Sequence, residues 1–171
     1  MEDHQSSSLK PKAADLDLPL HTFGFEFKDV SSDKVSGHLQ VTEKCCQPFS
    51  VLHGGVSAVI AEALASIGAH VACGYKRVAG IQLSINHLKS AMLGDLIYAE
   101  ATPLSVAKTI QESAPLYILL KVWDVKIWKI EPSNSQNRSL IAYSRVTLKS
   151  NMPVPDYAKE AANMLKKYAK L

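Results

Sequence analysis

The longest apolar stretch of the chain, residues 52–71, predicts one helix. Its apolar side chains recur at three- and four-residue spacing, and the stretch is too long for an ordinary strand. Small residues fill most of the remaining face, so we expect the helix to be buried on nearly all sides. Gly54 and Gly55 lie at the start of this helix. A membrane span is disfavoured, because Glu62 and His70 interrupt the run and many of its residues are Ala or Gly.

Alternation of apolar and polar residues predicts strands on both sides of this helix. Two strands in a hairpin precede it, with alternating apolar positions at Phe23, Phe25, Phe27, Val35, Gly37, Leu39 and Val41. Four strands follow it, over residues 81–87, 97–101, 122–128 and 140–148. A polar loop is predicted over residues 131–138, and a last helix from Asp156 to Lys170. This order excludes a repeated βαβ pattern and predicts a largely antiparallel sheet with the long helix on one face.

Length and composition predict one globular domain. The chain has 171 residues, of which 47% are hydrophobic, enough for a sizeable core. We expect a flexible lead over residues 1–17, the domain over 18–152, and a C-terminal helix with a terminal tripeptide over 153–171. The net charge of +3 is mild, and no basic block interleaves with aromatic residues, which disfavours nucleic acid as a partner. Three cysteines show neither disulfide nor metal-ligand spacing, so we expect a reducing compartment and no metal.

Glu62 is the candidate for chemistry, because it is the only carboxylate between Val56 and Val71. Burying a bare charge costs several kcal/mol or more, so the group must be neutral, paired or hydrogen-bonded. The glycines at the helix start leave backbone N–H groups open to a polarised oxygen. One interpretation is therefore a site for carbonyl chemistry, and the other is a structural Glu that bonds a core partner. The residues alone leave both open.

The two ends of the chain bear on localisation. The polar, acidic start has no apolar segment typical of a secretory signal. The last three residues, Ala169, Lys170 and Leu171, resemble the small-basic-Leu peroxisomal address. We therefore expect a peroxisomal protein that a peroxisomal import receptor recognises.

The spacing of polar residues around the long helix resembles that of a known family. The pattern comprises Gln47, His53-Gly54-Gly55, Glu62 and Ser66. It resembles the hot-dog fold, an α+β fold in which a curved antiparallel sheet wraps around one long central helix. Within that fold it is most similar to the 4-hydroxybenzoyl-CoA thioesterase branch and its plant peroxisomal 1,4-dihydroxy-2-naphthoyl-CoA thioesterases. The resemblance implies hydrolysis of an aromatic acyl-CoA ester in phylloquinone biosynthesis, with no cofactor beyond the CoA of the substrate.

The resemblance also assigns roles at the reacting carbonyl. Glu62 attacks the thioester carbonyl or activates water. Gly54, with Gly55, supplies backbone N–H groups that stabilise the oxyanion. Ser66, one helical turn after Glu62, holds the carboxylate or the attacking water. Two residues before the helix orient the thioester or the water: Gln47 and His53.

The same resemblance implies a binding site for the rest of the substrate. Lys89, Lys108 and Thr109 fall where the family contacts the nucleotide phosphates. Asn86 and His87 lie on the neighbouring strand and are expected to line the acyl pocket. Family members form homodimers or homotetramers, in which one subunit supplies the Glu and the other supplies the loop with Gln, His and Gly.

One segment departs from the family pattern. Family members run directly from the Lys-Thr-Ile-Gln segment into Val-Trp-Asp-Val, whereas here residues 112–121 intervene. Pro115 argues against a smooth strand extension. We expect this insertion to arise from altered splicing and to weaken folding or CoA binding. The alternatives are a thioesterase of broader specificity, a hot-dog dehydratase or hydratase, and an inactive acyl-CoA-binding isoform.

Overall fold

The computed structural model describes residues 11–106, 119–131 and 134–169. The described part contains four α-helices: α1 Ala13–Leu16, α2 Leu18–Phe23, α3 Gly54–Ala72 and α4 Lys159–Lys166. It contains six strands: β1 Glu26–Val30, β2 Val35–Gln40, β3 Arg77–His87, β4 Leu96–Val106, β5 Leu119–Glu131 and β6 Asn134–Met152. Two short 3-10 helices span Glu43–Cys45 and Asp156–Ala158.

The six strands form one antiparallel sheet in the order β1-β2-β4-β5-β6-β3. The strand order along the chain, two before α3 and four after it, matches the sequence-based prediction. The helix packs on the face to which alternate strand residues point, and the core between them includes the fully buried Leu39, Ile97 and Trp123. This arrangement confirms the predicted fold class.

Helix α3 is buried along most of its length, because small residues let it approach the sheet closely. At Gly68, a Cβ would lie only 2.4 Å from Cη2 of Trp123, whose side chain is fully buried. Among the described residues, α3 is the one helix whose length and composition match a membrane span, and 61% of its most apolar 18-residue window is buried. Its contact with the sheet accounts for the apolar character.

The N-terminal region departs from the predicted flexible lead. Residues 11–17 include α1, in which Ala13 is buried, and residues 1–10 lie outside the described part. The hydroxyl of Tyr168 donates a hydrogen bond to the Asp15 carboxylate, which raises the pKa of Tyr168. Phe23, expected in a strand, ends α2 instead, because Gly24 adopts φ 85° and terminates the helix.

Two further predicted boundaries are wrong. The polar loop expected over residues 131–138 is a hairpin in which β5 runs to Glu131 and β6 begins at Asn134. Polar residues there lie on strands; the Arg138 guanidinium, for example, stacks 4.9 Å from the ring centroid of Tyr98. The last helix is shorter than expected, since a 3-10 turn precedes α4 and α4 ends at Lys166.

The insertion falls mainly outside the described residues, which exclude 107–118. Its last three residues, 119–121, begin β5 and pair with β6, so for them the expectation that the segment cannot extend a strand is wrong. Lys121 is 5% exposed, and its Nζ donates to the carbonyl oxygen of Ala72 at 3.2 Å. A cation at this position stabilises the C-terminal end of α3 through the helix dipole.

Candidate active site

The first turn of α3 is held by His53, which is the N-cap residue. Its Nδ1 accepts a hydrogen bond from the Gly55 N–H at 2.9 Å. An acceptor nitrogen carries no proton, so a neutral ring carries its proton on Nε2 and can donate from that atom. His53 is exposed, which leaves this donor available to a ligand or a second subunit.

Of the first four N–H groups of α3, that of Gly54 is the one left for a ligand. The Gly55 N–H is bonded to His53 Nδ1, and those of Val56 and Ser57 donate to the His53 carbonyl oxygen. For Gly54 the described residues supply no acceptor. The N–H that remains available for the expected oxyanion role is therefore that of Gly54, because the Gly55 N–H is already bonded to the cap.

A cavity of about 250 Å³ opens in front of this helix start. It brings together four residues singled out in the sequence: Gln47, Gly54, His87 and Lys89. The imidazole of His87 packs directly over Gly54, where a Cβ would lie 3.1 Å from its Nε2. A Cβ at position 54 would require that ring to shift by a few tenths of an ångström.

Two predicted binding residues behave differently at the end of β3. The Nζ of Lys89 donates to the Ser139 hydroxyl at 2.9 Å, which places this cation at the rim of the cavity. Asn86 is exposed and does not line the cavity with His87, because adjacent strand residues point to opposite faces. Lys108 and Thr109, the other predicted contacts of the nucleotide, lie outside the described residues.

Glu62 lies on a second cavity, also about 250 Å³, against the edge strand β3. The Ser66 hydroxyl donates to its Oε1 at 3.0 Å, which is the contact expected from their spacing. Glu62 is exposed, so the expectation that it is buried is wrong for the isolated subunit. A Cβ at Gly80 would lie 3.0 Å from Glu62 Oε1, so the strand passes close beside the carboxylate.

The two cavities are separate within a single subunit, since none of the described residues lines both. Eight residues separate Gly54 from Glu62 on α3, which at about 1.5 Å of rise per residue places them about 12 Å apart along the axis. A thioester carbonyl must contact both its nucleophile and its oxyanion donor at about 3 Å. Ser66 and the close approach of Gly80 hold the Glu62 carboxylate at its own cavity, so the carboxylate and the helix start do not converge on one carbonyl in the isolated subunit.

One cavity residue was not identified from the sequence. Ser57 is 3% exposed and lines the cavity beside Gly54. Its position three residues after Gly54, on the same side of the helix, was the available signal.

At the other end of the chain, Ala169 packs against the core, and the remainder of the predicted address, Lys170 and Leu171, lies outside the described residues. Among the described residues, no cluster of three or more His, Cys, Asp or Glu could hold a metal ion.

Comparison with known proteins gives one consistent result. The Thioesterase superfamily model matches residues 49–114, a range that includes the start of α3 and Glu62. The chain is 51% identical over 162 residues to 1,4-dihydroxy-2-naphthoyl-CoA thioesterase 2 of Arabidopsis thaliana, covering 93% of this chain and 97% of that protein. It is 36% identical over 128 residues to a 1,4-dihydroxy-2-naphthoyl-CoA hydrolase of Listeria monocytogenes, covering 74% of this chain and 90% of that protein.

The structural comparison agrees. The crystal structure of a thioesterase from Haemophilus influenzae superposes with a TM-score of 0.63 at 27% identity, covering 81% of this chain and 85% of that one. The resemblance inferred from Gln47, the His-Gly-Gly segment and Glu62 is confirmed at the level of family and fold. The chain thus belongs to the Thioesterase superfamily, and it is a thioester hydrolase of the hot-dog fold.

Proposed function

We propose that this enzyme hydrolyses 1,4-dihydroxy-2-naphthoyl-CoA to 1,4-dihydroxy-2-naphthoate and CoA, in a site shared by two subunits. The observation that carries the shared site is that Gly54 and Glu62 lie on two separate cavities, about 12 Å apart along α3. The names of the Arabidopsis and Listeria relatives, which cover most of this chain, support the substrate.

A homodimer resolves the separation. Glu62 and Ser66 of one subunit meet Gln47, His53 and Gly54 of the other, and the two-fold axis generates a second, identical site. The open edge of the sheet supports this assembly, since the 11-residue strand β3 pairs with β6 on one side and has no strand partner on the other among the described residues. An exposed strand edge of this length is a template for pairing with another chain.

The chemistry follows from the contacts. The Glu62 carboxylate attacks the thioester carbon directly, or removes a proton from a water that attacks it. The carbonyl oxygen becomes an oxyanion, which the Gly54 N–H stabilises. When the tetrahedral intermediate collapses, the carbon–sulfur bond breaks and CoA leaves as a thiolate, which then takes up a proton. Direct attack leaves an acyl anhydride on Glu62, which water hydrolyses.

The remaining contacts position the substrate. Ser66 holds one Glu62 oxygen through its 3.0 Å hydrogen bond, which leaves the other oxygen for the reaction. The His53 Nε2–H and the Gln47 amide orient the thioester or the water. Lys89 at the cavity rim attracts the CoA phosphates. We propose phylloquinone biosynthesis as the pathway, which is what the resemblance described for the sequence implies.

Glu62→Gln tests the proposal. We expect hydrolysis of 1,4-dihydroxy-2-naphthoyl-CoA, followed by thiol release, to decrease by at least about 100-fold, while the ester still binds. Unchanged turnover refutes the role of Glu62, and faster turnover of fatty acyl esters by the unmodified enzyme refutes the substrate. If the unmodified protein binds the naphthoyl ester without hydrolysing it, the protein is instead the inactive acyl-CoA-binding isoform expected as an alternative from the insertion.

The proposed site of action is the peroxisome, supported by the terminal tripeptide that begins at Ala169. A fluorescent fusion that keeps this tripeptide at its free C-terminus should be imported into peroxisomes, and a fusion that lacks residues 169–171 should stay outside. Import of the truncated fusion contradicts the proposal.

A further inference from the structure

Phe49 is an apolar side chain that the fold of one subunit leaves unused. It is 81% exposed, and it is the most exposed of the large aliphatic or Phe side chains in the described part of the chain. Full burial of a Phe side chain stabilises a protein by about 1.5–3 kcal/mol, a gain that this ring can make only against a second subunit or a ligand. We infer that Phe49 is a specificity-determining residue, whose ring forms the wall of the acyl pocket at Glu62 of the second subunit. This inference rests on the shared site proposed above.

A rigid turn presents the ring. The Ser50 N–H donates to the Gln47 carbonyl oxygen at 3.0 Å, which makes Pro48 and Phe49 the two central residues of a β-turn. The Gln47 N–H donates to Val51 O at 2.9 Å and closes the base of the turn. The Leu93 N–H donates to Ser50 O at 2.9 Å and ties the turn to the segment after β3. The position of Phe49 is therefore fixed by the backbone.

The turn also fixes the distance from Phe49 to the reacting group. Gln47 and Phe49 are two residues apart, so their Cα atoms are separated by at most about 7 Å. In the shared site, Gln47 contacts the thioester at Glu62 of the other subunit. The inference therefore places Phe49 at the same mouth, beside the acyl group that extends from that thioester.

The Glu62 cavity needs such a wall. It is about 250 Å³ in volume, and its apolar lining comes from one side only: Ile81, Leu83 and Val146. Sites for small molecules are typically about 300–1,000 Å³ and bury most of the ligand surface. Ile81 is 56% exposed, so the cavity stands open in the isolated subunit. A ring from the second subunit closes it and covers Ile81.

An aromatic wall favours a flat aromatic acyl group over a flexible chain. Both ligands gain from burial of apolar area, but ring stacking adds a further preference for the aromatic ester that amounts to about 2- to 10-fold in rate. A rigid wall on a pinned turn also adapts poorly to an alkyl chain. The ratio of kcat/KM for the two ester classes is therefore the quantity that Phe49 sets.

The experiment measures kcat/KM for 1,4-dihydroxy-2-naphthoyl-CoA and for decanoyl-CoA, by thiol release, in the unmodified enzyme and in Phe49→Leu and Phe49→Tyr. We expect the naphthoyl-to-decanoyl ratio to fall about 2- to 10-fold in Phe49→Leu and to be retained in Phe49→Tyr, which keeps the ring. The matched control is Tyr157→Leu, which removes an aromatic side chain that is 85% exposed outside the site. It should change neither rate, and light scattering should show the same oligomer for all variants.

The outcomes separate this inference from the proposed function. An unchanged ratio in Phe49→Leu, or an equal fall for both esters, overturns the role in specificity while hydrolysis of the naphthoyl ester stands. Loss of the oligomer in Phe49→Leu alone also overturns it, since Phe49 would then be an interface residue. If the unmodified enzyme itself prefers decanoyl-CoA, both the proposed substrate and the inference fail.

Discussion

The cap formed by His53 can be separated experimentally from the catalytic role that we propose for the same residue. The replacement His53→Ala removes the Nδ1 that accepts from the Gly55 N–H at 2.9 Å. Replacing a capping side chain with Ala costs about 0.5–2 kcal/mol, typically about 1 kcal/mol. His53 is exposed, so little apolar burial is lost and the cap dominates the change in stability. For a chain of this length, 1 kcal/mol corresponds to a decrease of about 2–4 °C in Tm.

The matched variant is His53→Asn, because Asn is among the best capping residues but has no imidazole. We expect Asn to keep Tm within about 1 °C of the unmodified protein, since it caps nearly as well. Both variants lose the Nε2–H donor that orients the thioester or the water, so kcat/KM should fall about 2- to 10-fold in each, as expected for the loss of one hydrogen bond. Thermal denaturation and thiol release measure the two effects on the same samples.

Two results would refute this reasoning. If His53→Ala leaves Tm unchanged, the bond to Gly55 does not stabilise the helix start. If His53→Asn restores activity along with stability, the imidazole acts only as a cap, and orientation of the substrate must come from Gln47.

Three further predictions concern other contacts. Ser66→Ala removes the hydrogen bond to Glu62 and should lower kcat about 5-fold in the thiol-release assay. Ser66→Thr keeps the hydroxyl and should retain most of the kcat. Equal kcat values in the two variants and the unmodified enzyme contradict the positioning role. Gly68→Ala places a Cβ 2.4 Å from the buried Trp123 ring. The cost of overpacking, about 1–3 kcal/mol, should outweigh the gain of about 1 kcal/mol in helix propensity, so thermal denaturation should show a lower Tm. A higher Tm contradicts this prediction and shows that the Trp123 ring moves to accommodate the methyl group. Burial lowers the pKa of His70 below 6.5, so the unfolded chain binds a proton more readily than the folded chain, and the free energy of unfolding should decrease from pH 7 to pH 5. In urea denaturation, His70→Gln should show a smaller decrease than the unmodified protein. An equal decrease in both proteins shows that other titratable groups cause the pH dependence.

The sequence predicted the fold well because its periodicities are strong. The three- and four-residue spacing around Ile60 and Leu64 could only be satisfied by a long helix, and the alternation after it required strands. The boundaries were less accurate. The polar run over residues 131–138 suggested a loop, because a strand whose outer residues face solvent has the same composition as a turn. Phe23 continued an alternating pattern that Gly24 interrupts.

The sequence identified the site residues but not their surroundings. The spacing of Glu62 and Ser66 predicted their contact, since residues four apart share a helix face. The same apolar context suggested that Glu62 is buried, and this was wrong because its own face of α3 is uncovered in one subunit. Periodicity indicates which face of a helix is apolar, but it does not indicate whether the residues that pack on that face belong to the same chain. The hydrogen bond from the Gly55 N–H to His53 Nδ1 was also not predicted, because it depends on side-chain geometry that residue spacing does not encode.

Complementation between two inactive variants tests the shared site most directly. Glu62→Gln and Gln47→Ala, carried on separately tagged chains and co-expressed, each disable every site in their own homodimers. In a mixed dimer, one site receives both defects and the other receives none. With random pairing, half of the dimers are mixed and half of their sites are intact, so we predict about one quarter of the unmodified activity. If purified mixed dimers show no more activity than either variant alone, Glu62 and Gln47 do not meet across subunits, and the shared site is wrong.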